Sequence, residues 1–412
     1  MALGLQGTKT VLNRLQIEFP PHIIHVAGSN GKGTVCALMS TAFTLNNIDN
    51  VLFTSPHVAR IEERIRRNGT PISSHEFDEA LNQIQRASIG DENNSAIELT
   101  FFEITYLIAM ITSAGSEVLL LETGLGGRLD ATRSGPATAS LVTAVSREHM
   151  EILGSNLPKI AREKAAIARP SCPIIIRDPE DIEVRNAMEE ETLNAGNTSL
   201  DEIQAPAQAT FVPIPSGVGV REEAAVMASA LFETLGFSTA SIEQAKSVLR
   251  WPARLHFLNQ KETSTHPYLL DAAHNPSGIR RVLPELEELL SQHAPNSNWT
   301  LIFGTSPQHD LADFLAPLHD LCQRLPPKQI LLTQPHGGRY PGVDVNDLLE
   351  QKWTIKNPLT FASADQAIEY LATQSEDSVG LVVSLGSLYL QGNILNFFNW
   401  ASDENLSLVA KH

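Results

Sequence analysis

Lys32 stands between Gly31 and Gly33, with Gly28 and Asn30 before it and Thr34 after it. These residue types at this spacing suit the holding of phosphates. Glycines let the backbone approach an anion closely and aim N–H groups at it. The lysine adds a mobile ammonium, and the threonine a further donor. The segment follows an apolar run, Ile23–Ala27, and precedes a helix-compatible stretch, Val35–Leu45. That order predicts strand, loop and helix start, so that the positive pole of the helix also faces the anion. The spacing departs from the usual phosphate loop. Val26 occupies the place of its first glycine, and Gly33 separates the lysine from the hydroxyl. A plain glycine turn would explain the glycines but not Lys32 and Thr34 together.

Five further segments carry polar residues that a core does not ask for. Ser55 follows the strand candidate Val51–Thr54 and could ligate a metal through its hydroxyl, although Ser-Pro is also an ordinary turn starter. Glu122 is delivered to the tip of the apolar strand candidate Val118–Glu122, with glycines behind it. A carboxylate there suits Mg²⁺, which prefers hard oxygen ligands and keeps several waters; it could instead cap the next turn. His149 follows the strand candidate Ser140–Val145 and reads equally as a metal ligand or a structural histidine. Lys164, on the helix candidate Leu157–Ala168, is either a surface lysine or a partly buried one with a lowered pKa and open to modification. The fifth segment is Arg254 together with Asp271–Pro276. An Asx turn would account for Asp271 and Asn275 but not for Arg254 or His274, which then face a ligand or a domain interface.

These residues need a scaffold that brings strand ends together. Up to about residue 250, short β-like runs alternate with helical stretches, the pattern of a mainly parallel sheet with helices on both faces. Ligands of such sheets sit at the carboxyl ends of the strands. A second α/β pattern starts near Trp251, with strands expected at Tyr268–Asp271, Thr300–Phe303, Gln329–Thr333 and Leu381–Leu385. Two domains are therefore expected, 1–250 and 251–412, and the 412 residues, 42% of them hydrophobic, suffice for two cores. The stretch 197–217, rich in Pro, Ala and Ser, gives the weakest signal.

The formal net charge is −17. An acidic surface repels nucleic acid and anionic membrane, so neither is expected as a partner, and an anionic substrate must be held by local positive groups. Cys36, Cys172 and Cys322 are odd in number and not at metal spacing, as expected of reduced thiols in a cytoplasmic protein. The first residues lack the basic and apolar regions of a signal peptide, and no apolar run reaches the ~18 residues of a membrane span.

Taken in order, His25–Thr34, Ser55-Pro56-His57, Glu63-Arg64, Thr100–Glu103, Glu122–Thr132, His149, Glu163-Lys164-Ala165, Arg254-Leu255, Asp271–Pro276 and Gly386–Tyr389 resemble the folylpolyglutamate synthase/dihydrofolate synthase family of the Mur ligase superfamily. The resemblance runs over nearly the whole chain. It implies a phosphate-loop Mur-ligase-type ATP-binding domain, 1–250, and a smaller Rossmann-like α/β domain, 251–412. It further implies a monomeric ATP- and Mg²⁺-dependent ligase that joins L-glutamate to dihydropteroate or a folate through an acyl phosphate. By matching position, Gly31–Thr34 hold the phosphates, and Ser55, Glu122 and His149 bind Mg²⁺. Lys164 falls on a carbamylated lysine. Arg254 and Asp271 belong to the ATP site, with His274 beside them. Thr100, Phe102 and Asp130 fall where a pterin-bearing substrate binds, and Leu3-Gly4-Leu5 resembles a segment touching the same ligand. Arg133, Glu148, Ala166, Glu223, Ala253 and Ala272 depart from the family pattern. Two other functions fit the same residues: a paralogue joining a different carboxylate and amine, and a nucleotide-binding protein that no longer ligates.

Overall fold

A computed structural model describes residues 5–90, 96–147, 150–154, 156–195, 205–338, 340–353 and 357–410. His149 and Glu148 lie outside the described residues, as do Leu3 and Gly4. The chain forms two compact units. One is built from residues before Arg250 and the tail from Ser407; the other comprises Val58–Arg60 and Arg250–Leu406.

The strands of the first unit are β1 (His22–Ala27), β2 (Asn50–Phe53), β3 (Ile65–Arg67), β4 (Thr70–Pro71), β5 (Val118–Glu122), β6 (Ala139–Val142), β7 (Pro173–Arg177) and β8 (Gln208–Val212). Among the described residues they form one sheet in the order β4-β3-β2-β5-β1-β6-β7-β8. Every pair from β2 to β8 is parallel; β3 and β4 add an antiparallel edge. All five residues of β5 are buried, and five of the six in β1. Such continuous burial, rather than alternation, marks parallel strands covered on both faces. From β1 the chain crosses to β2 on one side, returns through β5, and passes to β6 on the other side. The strand order therefore reverses around β1, where open α/β sheets bind ligands.

The helices of this unit are α1 (Gln6–Leu15), α2 (Lys32–Leu45), α3 (Ser74–Ser88), α4 (Phe101–Thr112), α5 (Met150–Leu153), α6 (Leu157–Ala165), α7 (Ile182–Asn194), α8 (Val220–Leu235) and α9 (Ala240–Val248). Their starts follow from sequence. Ser73 and Glu76 close a reciprocal capping box on α3, and Thr100 and Glu103 do the same on α4. Along α3 the buried residues Phe77, Ala80 and Ile84 form one stripe. Covering Phe77 and Ile84 contributes roughly 3–6 kcal/mol relative to exposure; Ile84→Asp would break that face.

In the second unit β9 (His256–Leu258), β10 (Tyr268–Leu270), β11 (Trp299–Phe303), β12 (Gln329–Thr333), β13 (Leu359–Phe361) and β14 (Leu381–Leu385) pair in the order β13-β12-β11-β14-β10-β9. Only β9 runs antiparallel to its neighbour among these described strands. Its helices are α10 (Gln260–Thr263), α11 (Pro276–His293), α12 (Leu311–Arg324), α13 (Val345–Leu349), α14 (Ala364–Ala372), α15 (Glu376–Val379), α16 (Leu388–Phe397) and α17 (Asp403–Leu406).

Two strands stop short of their expected ends for a common reason. The run expected to reach Val145 leaves the ladder after Val142, because Thr143 to Ser146 turn to bond the loop after β1. The run expected to include Asp271 ends at Leu270, because the Asp271 side chain folds the following turn. The weakly patterned stretch 197–217 contains β8, an edge strand whose first three residues are exposed and so show no apolar signal. No helix among the described residues is long and apolar enough to cross a membrane.

Candidate active site

The chain leaves β1 at Gly28, whose φ is +147°, and enters α2 through Gly31, whose φ is +87°. A Cβ at Gly28 would lie 1.8 Å from Thr143 Oγ1, so no other residue fits. Among the described residues no side chain caps α2, which suits its first N–H groups to a ligand. The loop is held in shape by the exit of β6. The Ser29 amide donates to the Ala144 carbonyl (2.7 Å), Thr143 Oγ1 to the Asn30 carbonyl (2.8 Å), and the Ser146 amide to Ser29 Oγ (2.9 Å). These hydroxyls escape a sequence reading, because Ser and Thr in a loop carry no distinctive pattern. Lys32 Nζ turns back to donate to the Gly28 carbonyl (3.0 Å), and Thr34 is buried in the first turn of α2.

Lys164 lies in the last turn of α6 and is not a surface residue: it is 1% exposed. Its Nζ donates to the same Gly28 oxygen, at 2.9 Å. Two ammonium groups from distant elements thus meet at one carbonyl of the loop. The expected helix to Ala168 ends at Ala165, where Ile167 and Ala168 close tight turns onto Lys164 and Ala165 before Pro170. Arg133 donates through Nε to the Ala166 carbonyl (2.8 Å), and Arg169 donates to the carbonyls of Ile167 (2.9 Å) and Gly135 (3.0 Å). Arg133, a departure from the family pattern, therefore serves as a cation at the negative end of a helix.

Ser55 follows β2 and Glu122 ends β5, two adjacent parallel strands in register. The Ser55 amide donates to Glu122 Oε2 (3.0 Å), and Glu122 is buried. Burial raises the Cys36 thiol well above its ordinary value; the Glu122 carboxylate adds to the rise and the Lys32 ammonium opposes it. Carboxylate and ammonium thus act on one buried point, where the Cys36 side chain is fully shielded from solvent. Among the described residues no group of three or more His, Cys, Asp or Glu is placed to hold a metal. One carboxylate with a hydroxyl is nonetheless a donor set suited to an ion that keeps waters and takes phosphate oxygens.

The Phe102 ring lies against Gly124, where a Cβ would come within 2.7 Å of it. The amides of Gly124 and Leu125 both donate to Asp130 Oδ2 (2.9 and 2.8 Å). Phe102 and Asp130 therefore meet at one turn, two residues along α4 from the exposed cap Thr100. Asp130 is buried, and its other oxygen accepts from the amide and hydroxyl of Thr132. Its side chain shapes the loop from within. Nearby in sequence, the Arg64 guanidinium stands 4.9 Å above the exposed Phe101 ring and donates to His57 Nδ1 (2.9 Å). Glu223, where the family pattern expects an amide, accepts from Arg177 Nε (3.2 Å).

In the second unit, buried Asp271 accepts from the amides of Leu255 (2.9 Å) and Ala273 (2.8 Å). His274 Nδ1 donates to the Ala272 carbonyl (2.9 Å), Arg254 to the Ala253 carbonyl (3.0 Å), and Asn275 Oδ1 caps α11. The segment of Arg254 is thus bound beside the Asp271–His274 turn; Asp271 closes an Asx turn on Ala273, and Asn275 caps α11.

No family model matches the chain. It is 37% identical to the dihydrofolate synthase/folylpolyglutamate synthase of Haemophilus influenzae over 180 residues, 43% of the chain and 40% of that relative. Against the enzyme of the same description from Bacillus subtilis it is 27% identical over 95% of the chain and 94% of the relative. A solved bifunctional folylpolyglutamate synthase/dihydrofolate synthase with Mn, AMPPNP and L-glutamate bound is 25% identical. It superimposes with a TM-score of 0.77 over 97% of this chain and 95% of that one.

Proposed function

We propose that the chain, similar over nearly its whole length to dihydrofolate synthase/folylpolyglutamate synthase enzymes, is a member of that family and uses ATP to join L-glutamate to the carboxylate of dihydropteroate, of a folate, or of both. One observation carries the reading: Lys32 and Lys164 meet at the Gly28 carbonyl, at the sheet edge that also presents Glu122 and Ser55.

A carboxylate is a poor electrophile. Its attack on the γ-phosphorus of ATP expels ADP and gives an acyl phosphate, which carries a good leaving group. The glutamate amine then attacks the acyl carbon, phosphate departs, and the amine gives up a proton. Gly28, Asn30, Gly31, Gly33 and Thr34 are read as the phosphate cradle at the start of α2, and Lys32 as the ammonium that leaves Gly28 for the outer phosphates. Ser55 and Glu122, with His149 by resemblance, would hold Mg²⁺, which when bound offsets charge on the transferred phosphoryl group. Lys164 is read as the carbamylated lysine; its amine adds CO₂, releases a proton and becomes an anion. Thr100, Phe102 and Asp130 are read as the acceptor side, Asp130 acting through the loop it shapes. Arg254, Asp271 and His274 are read as nucleotide residues of the second unit. A cytoplasmic monomer completes the reading, and three free thiols suit a reducing compartment.

Incubation with ATP, Mg²⁺, L-glutamate and dihydropteroate is expected to release ADP and phosphate in step with dihydrofolate. Absence of acceptor-dependent ADP with both dihydropteroate and tetrahydrofolate would remove the folate assignment.

A further inference from the structure

His25 lies at the centre of β1, three residues before Gly28, paired in register with Leu121 on one side and Ser140 on the other. It is fully buried. An aliphatic residue would fill such a place without the cost of taking an imidazole out of water. The ring is not compensated on both sides, since Nδ1 is buried with no hydrogen-bond partner among the described residues. Nε2 bonds Thr132 Oγ1, at 2.7 Å.

The proton positions follow from the neighbours. Asp130 Oδ2 accepts from the Gly124 and Leu125 amides, and Oδ1 faces the amide and hydroxyl of Thr132. Three are backbone N–H donors, which favour the ionised carboxylate against the burial that raises its pKa; the Thr132 hydroxyl then gives it its single proton. Thr132 Oγ1 then has only lone pairs for His25, so the ring carries its proton on Nε2. Burial, and the charges of Arg169 and Arg133, lower the imidazole pKa well below its ordinary value and keep the ring neutral.

We propose that His25 is a positioning residue for the acceptor: from the strand that feeds the phosphate loop it orients Thr132, which orients Asp130, which holds the Gly124–Leu125 turn against Phe102. The chain of bonds links the two loops that the reaction must align, one for phosphate and one for the group being phosphorylated. The inference rests on reading Thr100, Phe102 and Asp130 as the acceptor side.

Kinetics of the full chain test it. His25→Leu is expected to raise the acceptor KM about tenfold while the ATP KM stays within about twofold. His25→Gln, whose amide nitrogen can donate to Thr132 Oγ1, is expected to recover most of that loss. The double variant His25→Leu/Thr132→Val is expected to be no worse than the poorer single one, because both cut the same chain. Equal rises in both KM values, no recovery with glutamine, or additive losses would overturn the proposal. The ¹⁵N imidazole spectrum of the unaltered protein tests it independently of variants that do not fold. A neutral ring protonated at Nε2 supports it, and a proton on Nδ1 overturns it. Turnover of the unaltered protein with dihydropteroate separately decides the reading on which it rests.

Discussion

Past the end of β10, polar side chains close the chain on itself: Asp271 accepts from Leu255 and Ala273, and Asn275 caps α11. Past the end of β1 the same kinds of element are left differently. Among the described residues no side chain caps α2, and Lys32 and Lys164 crowd one carbonyl oxygen. Two like charges drawn to one acceptor are a poor way to stabilise a turn; the crowding is relieved if Lys32 swings to a bound phosphate and Lys164 becomes a carbamate. Polarity at a strand exit is therefore not in itself a sign of chemistry. The distinction lies in whether the polar groups complete the fold or stand in excess of what the fold requires.

Substitutions can break that contrast. Lys32→Ala is expected to lower turnover by about 10³-fold or more, with a shift of less than about 2 °C in melting temperature. Near-normal ligation would remove the phosphate-loop reading. Lys164→Ala is expected to cost about 10²-fold, with partial restoration by short carboxylic acids that replace the lost anion; undiminished turnover without them would remove the carbamate. At the other exit the order reverses. Asp271→Asn sets an amide NH₂ against a backbone N–H and is expected to cost roughly 1–3 kcal/mol in urea unfolding, besides any loss of turnover. Lost turnover with unchanged stability would place Asp271 in the company of Lys32. The smallest effect concerns pH. The folded-state pKa of His25 lies below its unfolded value, near 6.5, so the unfolded chain binds the extra proton and stability falls as pH drops below that value. One such group contributes at most about 1.4 kcal/mol per pH unit. His25→Gln should therefore flatten the acid limb of melting temperature against pH, and an unchanged slope would show the ring to be charged in the fold.

Much of the scaffold was legible because burial follows composition. Val118–Glu122, Gln329–Thr333 and Leu381–Leu385 are apolar runs, and the observed strands have those bounds. Elements that face water on most sides were not legible. α1 buries only Thr8, Val11 and Leu12, and α7 carries several glutamates on a helix with four buried positions. Candidate site residues stood out where residue type is itself unusual, as at Lys32 or Glu122. They did not stand out where ordinary residues do the supporting. Thr143, Ser29 and Thr132 are common hydroxyls, and only the fold shows that they brace the loops. Asp130 faces into its own loop, which a sequence reading does not show, because spacing does not reveal which way a carboxylate turns.

A helix end usually sealed by glycine is sealed on α6 by Arg133 and Arg169, with alanine at position 166. The two guanidiniums divide the work of closing this end: removal of Arg133 takes a charged donor from the Ala166 carbonyl, while Arg169 still holds the Ile167 carbonyl one residue further on.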